Sequence, residues 1–351
     1  MGSYTSPHLI DYNERICVDK KPVDNARLID SFKLIESVRG NVALTFFEFG
    51  TLSAFTIFND FECDAWVIEV GLGGHLDATN IITPSISIIT NVDLDHQNWL
   101  GNTIDEIAKE KAGIISPGVP CVFGDTPVPS IIQTVADSEG SDLYVWNSDF
   151  FLVDNGDSFQ WKGRNTEIDS IIMPSHWGPG ECNNLALSLT SIEIMDSELL
   201  PSAKELNHLL SNFSVPGRFE IIEQKQTWIL DVAHNPHAAK NLKKKLESLN
   251  SCKKITVILS MMQDKDVIGF VKILDDLVEQ WIVCEMDTPR SHSAQTLQKK
   301  LIDVGMANVS VESELIQAFS NIKNRTKKND RILITGSFEI VGPAKKWLDS
   351  E

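Results

Sequence analysis

Two short stretches carry side chains suited to a divalent cation and a phosphate. The apolar run over residues 65–70 reads as a buried strand, with one carboxylate, Glu69, near its C-terminal end, just before the glycine turn at residues 71–74. A carboxylate there is costly unless a cation meets it. The next apolar run, residues 86–90, reads as a second buried strand and ends in Asn91, Asp93, Asp95 and His96. Open α/β sheets bind ligands outside the carboxyl ends of their strands, so Glu from one strand and Asp and His from the next suggest a metal or phosphate site. Singly, the bland reading is the favoured one for each: Glu69 as a carboxylate held by amides or an arginine, and His96 as a capped loop histidine. Their arrival at successive strand ends favours a metal, and carboxylate with phosphate oxygens suits magnesium.

The elements that must position these groups are partly signalled. A helix over residues 102–115 opens with Thr103 and Glu106, the spacing of a capping box. Its apolar positions Ile104, Ile107 and Ala108 lead on the same face to Lys111. Three fates are open to a lysine on such a stripe: snorkelling to solvent, pairing with a carboxylate, or a depressed pKa that leaves a neutral amine available. A plain solvated lysine fits the periodicity as well. The GLGG turn at residues 71–74 is not a dinucleotide fingerprint, because position 76 is leucine and no acidic residue ends a strand at the required distance.

Residues 45–59 read as a turn feeding an amphipathic helix. Residues 120–172 read as a peripheral β region with strand-like pieces at 143–146 and 150–153, followed by helices at 183–195 and 203–210. The breaker Val215-Pro216-Gly217 sets the expected boundary between a domain of residues 1–214 and one of residues 215–351. Beyond it, strands at 227–232, 255–261, 281–286, 308–311 and 331–335 alternate with helix-length segments, the mark of a compact α/β sheet. The first of these strands ends in Asp231, and Pro236 then opens a helix, so Asp231, His234 and Asn235 stand at a sheet edge beside a helix N-terminus. Helix capping is the bland reading of that group.

Composition narrows the class. The chain has 351 residues, 42% of them hydrophobic, which suits a soluble globular protein of two domains. A net charge of -18 argues against nucleic acid as a partner, though not against one bound nucleotide. The six cysteines are widely separated, with no CxxC pair, so reduced thiols are expected. No apolar run reaches membrane-spanning length and no signal peptide opens the chain, which makes the cytoplasm the default.

The blocks YTSPHLIDYNERI, TFFEFGTLSA, EVGLGGHLDATN, DLDHQNWLG, EKAGI, VPGRFE, DVAHNPHAA, DKD and GSF stand in this order along the whole chain. In that order the chain resembles the bifunctional dihydrofolate synthase/folylpolyglutamate synthases of the Mur ligase superfamily. The resemblance implies a Mur-ligase-like central ATPase domain that also takes the pteroate, followed by a Rossmann-like α/β domain for nucleotide and glutamate. It implies ATP-dependent ligation of L-glutamate to dihydropteroate and to folate through an acyl phosphate, with magnesium at two sites. By resemblance Glu69 and His96 hold magnesium, and Lys111 is the lysine that the family carbamylates, giving an anion for the second ion. Arg218, Asp231, His234 and Asn235 match nucleotide-contacting positions. Thr45, Phe47, Asp77 and Ala78 match the pteroate pocket, where Phe47 suits stacking on a flat ring. Ser337 matches a position near glutamate. A monomer is expected.

The sequence also departs from the family. Relatives carry a GxxGKS/T loop upstream of the YTSPHL block, and this sequence has none, so it reads as a truncated gene, an internal start or a chain lacking the first strand, loop and helix. ATP is then expected to bind weakly. His75 stands where relatives have arginine, Asp11 falls where many have arginine, and either Cys182 or Asn183 occupies the place of a helix-starting asparagine. The rival readings are an inactive binding remnant and a Mur-type ligase acting on another peptide. The DATN and TFFEFGT blocks favour folate over the latter.

Overall fold

Capping side chains fix several helix starts before any packing is considered. Thr45 accepts from the Glu48 amide at 3.2 Å while the Glu48 carboxylate accepts from the Thr45 amide at 2.6 Å, and Thr103 and Glu106 repeat the exchange at 3.2 and 3.1 Å. The computed structural model describes residues 1–94, 97–249 and 255–351. It divides into two compact units, Met1–Ser211 and Asn212–Glu351. Among the described residues no helix is long and apolar enough to cross a membrane.

Among the described residues the first unit contains three sheets. In the first, β1 (Gly2–Tyr4) pairs antiparallel with β2 (Ile16–Val18) and parallel with β4 (Trp66–Ile68), and β2 pairs with β3 (Lys21–Pro22). Helices α1 (Asn25–Val38) and α2 (Phe46–Asp60) pack here, around Tyr4, Ile16, Leu28, Ala54, Ile57 and Phe58. In the second, β5 (Ser87–Ile89), β6 (Cys121–Phe123) and β7 (Leu143–Val145) run parallel. After the single turn α3 (Gln97–Leu100), helices α4 (Ile104–Ala112) and α5 (Ser130–Glu139) close a core of Ile89, Ala108, Ala112, Phe123, Ile132 and Ala136. The third is an antiparallel meander of β8 (Phe151–Asp154), β9 (Phe159–Lys162) and β10 (Glu167–Ile171), packed with α6 (Pro179–Asp196) and α7 (Ala203–Ser211). Glu193 of α6 accepts from the amides of Arg164, Asn165 and Thr166 at 3.0, 2.9 and 2.8 Å, which pins the β9–β10 turn to the helix.

Two expectations fail in this unit. The run 65–70 is not a buried strand: β4 has β1 as its hydrogen-bonded neighbour among the described residues, and Val67 is 55% exposed. Glu69, just past its end, is exposed. The stretch 120–172 is not all peripheral, since β6 and β7 belong to the parallel sheet and α5 crosses between them.

In the second unit a sheet of order β11-β12-β16-β13-β14-β15 is parallel apart from its antiparallel edge β11 (Glu220–Glu223). The others are β12 (Thr227–Asp231), β13 (Ile255–Leu259), β14 (Val278–Val283), β15 (Val309–Val311) and β16 (Arg331–Thr335). Trp228, Ile229, Leu230, Val257, Ile258, Leu259, Ile332, Leu333 and Ile334 are all 0% exposed, as helix-covered parallel strands require. The helices are α8 (Pro236–Ser248), α9 (Val267–Leu274), α10 (Ala294–Asp303), α11 (Leu315–Arg325) and α12 (Phe338–Ser350). The strand expected at 281–286 starts three residues earlier, and β11 was not foreseen.

Cys121, the first residue of β6, and Cys284, just past the end of β14, are both fully buried, and burial pushes each thiol up to about 12. Both should therefore resist a thiol reagent at pH 8 in the native protein and react at once in denaturant. Labelling followed by peptide mapping checks this, and native labelling of either would contradict the packing.

Candidate active site

In the first unit the site is organised by a loop that is tied to itself. One Asp77 oxygen accepts from the Gly71 and Leu72 amides, each at 3.0 Å. The other accepts from the Thr79 amide at 2.9 Å and the Thr79 hydroxyl at 2.6 Å. The carboxylate, expected in the pteroate pocket, is thus committed to holding the loop in shape. Ala78 begins a short 3-10 turn, Ala78–Ile81, and is half-buried. Gly71 is packed under Phe47: a Cβ there would stand 2.5 Å from the ring carbon Cζ. Phe47 also meets Tyr4 at 5.7 Å between centroids, so its ring packs on the loop and the first sheet.

The same loop lies on the last turn of α4. The His75 amide donates to the Glu110 carbonyl at 2.9 Å. A Cβ at Gly74 would come within 2.8 Å of that oxygen and 3.1 Å of the Lys111 carbonyl, so only glycine permits the approach. Lys111 itself is half-buried. The buried residues of α4 are Ile107, Ala108 and Ala112, whereas Ile104 is 38% exposed. Lys111 therefore borders the buried stripe instead of continuing it.

Glu69 receives the Ser6 amide on one oxygen at 2.7 Å and donates its own amide to the Tyr4 carbonyl at 2.9 Å. This sets the carboxylate at the C-terminal ends of β1 and β4. Asp93 is exposed and accepts from the Leu94 amide at 2.7 Å. Asp95 and His96 lie outside the described residues. Among the described residues no three His, Cys, Asp or Glu side chains gather to hold a metal ion. The chemistry of the described donors is still informative: a carboxylate such as Glu69 suits magnesium, whereas an ammonium has no lone pair to give.

A feature not read from sequence is a cavity of about 340 Å³ lined by Tyr12, Phe32, Leu44, Thr45, Phe46 and Phe49. Arg15 lies with its guanidinium 5.4 Å from the Tyr12 ring centre and 5.5 Å from that of Phe46. Its Nε donates to His8 Nδ1 at 2.9 Å. Thr45 lines this space as well as capping α2, while Phe47 is turned to the loop.

In the second unit, Asp231 gathers the site. Its oxygens accept from the Phe219 amide at 2.9 Å and the Ala233 amide at 2.8 Å, and the Val232 amide donates to the Gly217 carbonyl at 2.9 Å. The turn carrying Arg218 is thereby bound to the end of β12, with Gly217 at φ 70° and Phe219 at φ 51°. A bulky residue in that region is strained, and the Asp231 carboxylate helps hold it there. Arg218 is exposed, its guanidinium 5.4 Å from the Phe338 ring centre. Asn235 caps α8, accepting from the Ala238 amide at 2.8 Å, and His234 Nδ1 lies 2.9 Å from the Val232 carbonyl. Ser337 caps α12, accepting from the Glu339 amide at 3.2 Å. Asp231 and Thr335 are partners in parallel register, so two helix N-termini open from neighbouring strand ends, a setting that favours a phosphate.

Comparison with known proteins gives this arrangement a class. Residues 217–338 match the family described as Mur ligase, glutamate ligase domain. Over its length the chain is 32% identical to the dihydrofolate synthase/folylpolyglutamate synthase of Escherichia coli K12, covering 100% of this chain and 80% of that protein. The structure of E. coli FolC in complex with DHPP and ADP superimposes with a TM-score of 0.88 at 32% identity, covering 99% of this chain and 82% of that one. A bifunctional folylpolyglutamate synthase/dihydrofolate synthase with Mn, AMPPNP and L-glutamate bound gives a TM-score of 0.85 at 33% identity, with 99% and 82% coverage. The fold is that of a Mur-type amide ligase. The chain belongs to the dihydrofolate synthase/folylpolyglutamate synthase family.

Two outcomes follow from the geometry. Replacing Asp77 with Ala removes the acceptor of three loop amides, two of them exposed, and should cost about 1 kcal/mol in urea denaturation. For Asp231, burial raises the carboxyl pKa, opposed by the Ala233 amide, by Lys245 and Arg218, and by the Phe219 amide. A folded value above the unfolded one means that this group's contribution to stability falls as pH rises from the ordinary carboxylate value through the raised one. The stability of the wild type minus that of Asp231→Asn should therefore decline with pH across that window. A difference that climbs would reverse the assignment.

Proposed function

We propose that this chain ligates L-glutamate to dihydropteroate and then to folate chains, coupled to ATP hydrolysis. An oxygen of the pteroate carboxylate attacks the γ-phosphorus of ATP, and the bond from that phosphorus to the bridging oxygen breaks to release ADP. The glutamate amine then attacks the acyl carbon, the carbon–oxygen bond to phosphate breaks, and inorganic phosphate leaves as the amine gives up its proton. The observation that carries this reading is the likeness over the whole chain to enzymes solved with DHPP and ADP, and with Mn, AMPPNP and L-glutamate.

On this reading, Asp231, His234 and Asn235 shape the nucleotide side of the second unit, and Arg218 offers its exposed guanidinium to the nucleotide. Ser337 serves glutamate at the neighbouring helix start. Thr45, Phe47, Asp77 and Ala78 form the pteroate side, with Asp77 contributing the loop's shape through its four internal bonds. Glu69 and His96 are the magnesium ligands, and Lys111, once carbamylated by carbon dioxide, is the third. When bound, magnesium screens the charge of the transferring phosphoryl group. We read the protein as a cytoplasmic monomer, and its net charge of -18 opposes nucleic acid as a partner.

With no GxxGKS/T loop in this sequence, phosphate release should be slow, should rise in a form extended by such a loop, and should there require ATP, dihydropteroate and glutamate together. Lys111→Ala should slow it by roughly 10²–10³-fold, the scale of losing one electrostatic contact to the reacting group, with partial recovery in acetate or formate. Unchanged turnover in Lys111→Ala would reject the carbamate. A wild type that neither binds dihydropteroate nor releases phosphate would reduce the chain to an inactive remnant.

A further inference from the structure

We propose that Asn80 is a positioning residue that locks the pteroate loop to the end of the helix carrying Lys111. The inference rests on the roles given above to that loop and that lysine. The Asn80 amide group donates to two carbonyls on different elements: His75 within the loop at 3.2 Å, and Gly113, 33 residues later at the C-cap of α4, at 2.9 Å. A residue that merely shaped its own turn would keep its bonds within that turn.

The last carbonyls of a helix lack intrahelical partners. Here the Lys111 and Ala112 carbonyls are met by the Ile114 and Ile115 amides at 3.3 and 3.0 Å. The Glu110 carbonyl takes the His75 amide at 2.9 Å. Ile114 accepts from the Ser87 hydroxyl at 2.7 Å. Asn80 serves the Gly113 carbonyl between them. A Cβ at Gly113 would stand 2.5 Å from His75 Cα, and one at Gly74 would stand 2.8 Å from both the Glu110 oxygen and Ile114 Cγ2, so the two backbones approach closely with the Ile114 side chain packed beside them.

Three residues before Asn80, Asp77 closes the loop on itself. The loop is thus one unit, and Asn80, beside the His75 amide on the Glu110 carbonyl, joins it to the turn bearing Lys111. A ligand that shifts the loop must shift that turn, so occupancy of the pteroate site and carbamylation of Lys111 are coupled through Asn80.

The test uses the full chain with 13C-labelled bicarbonate and magnesium. Carbamate on Lys111 is followed by NMR, with Lys111→Ala identifying the resonance, and 7,8-dihydropteroate is titrated by fluorescence. In the wild type, saturating dihydropteroate should change the bicarbonate dependence of the resonance by about fivefold or more, the usual lower range of coupling between sites. Asn80→Ala and Asn80→Asp, which both lose the donors, should bring that factor below about twofold while each ligand still binds. Asn80→Ser keeps one donor and should restore part of it, and it decides the question if the other variants melt early. A purely structural Asn80 would lower the melting temperature and leave the coupling as it was, and that result overturns the proposal. A wild type without the resonance sinks the Lys111 reading and this proposal with it, whereas intact coupling in Asn80→Ala sinks the proposal alone.

Discussion

A helix that ends inside a protein leaves carbonyl oxygens that must find donors, and in the first unit the search for those donors places the site. Helix α4 ends at Ala112, with Gly113 as its cap. The Ile114 and Ile115 amides serve two of its carbonyls, and the donors from elsewhere in the chain are His75, Asn80 and Ser87, from the glycine loop and the strand after it. Where the His75 amide meets the Glu110 carbonyl the two backbones come so close that glycines stand at 74 and 113. The loop that this contact fixes is the one whose other end follows Glu69. Hydrogen-bond satisfaction and site geometry are here one requirement.

The second unit solves a related problem with a charge. Asp231 is 8% exposed and holds two amides, those of Phe219 and Ala233. With the Val232 amide on the Gly217 carbonyl and the core packing of the Phe219 ring, that acceptor helps hold Phe219 at φ 51° in the turn that presents Arg218. The carboxylate is expensive to bury, as its raised pKa shows, and the amides, Lys245 and Arg218 offset that only in part. The cost is repaid as orientation, since α8 and α12 both begin beside it from adjoining strands.

What the sequence made legible follows from the range over which each signal acts. Helix α4 was readable because Thr103 and Glu106 meet within one turn, and the strands of the second unit because burial on both faces leaves an unbroken apolar run. The burial of β4 was misread for the same reason: an apolar run looks alike in a central strand and in one with a single hydrogen-bonded neighbour. Helix α5 carries no start signal like that of α4, because its N-cap is Pro129 and no side chain caps its first turn. Candidate site residues could be nominated by type, but their bonds could not be read. That Asp77 meets the amides of Gly71 and Leu72, or that Asn80 reaches Gly113, depends on how the chain returns on itself, and no local pattern encodes it.

The position of Lys111 also constrains the chemistry proposed for it. It lies in the last turn of α4, where the helix dipole presents its negative end. An ammonium is favoured there by up to about 1 kcal/mol, and an anion is disfavoured to a similar degree. Carbamylation exchanges one for the other, so the helix itself opposes the modification by roughly the sum of the two. Something positive must reverse that balance. With Glu69 contributing a further negative charge at the ends of β1 and β4, the proposed ligand set is repulsive as long as it holds no cation. The carbamate and the divalent ion are therefore expected to form together, each stabilising the other, with Lys111 reverting to an ammonium when the ion leaves.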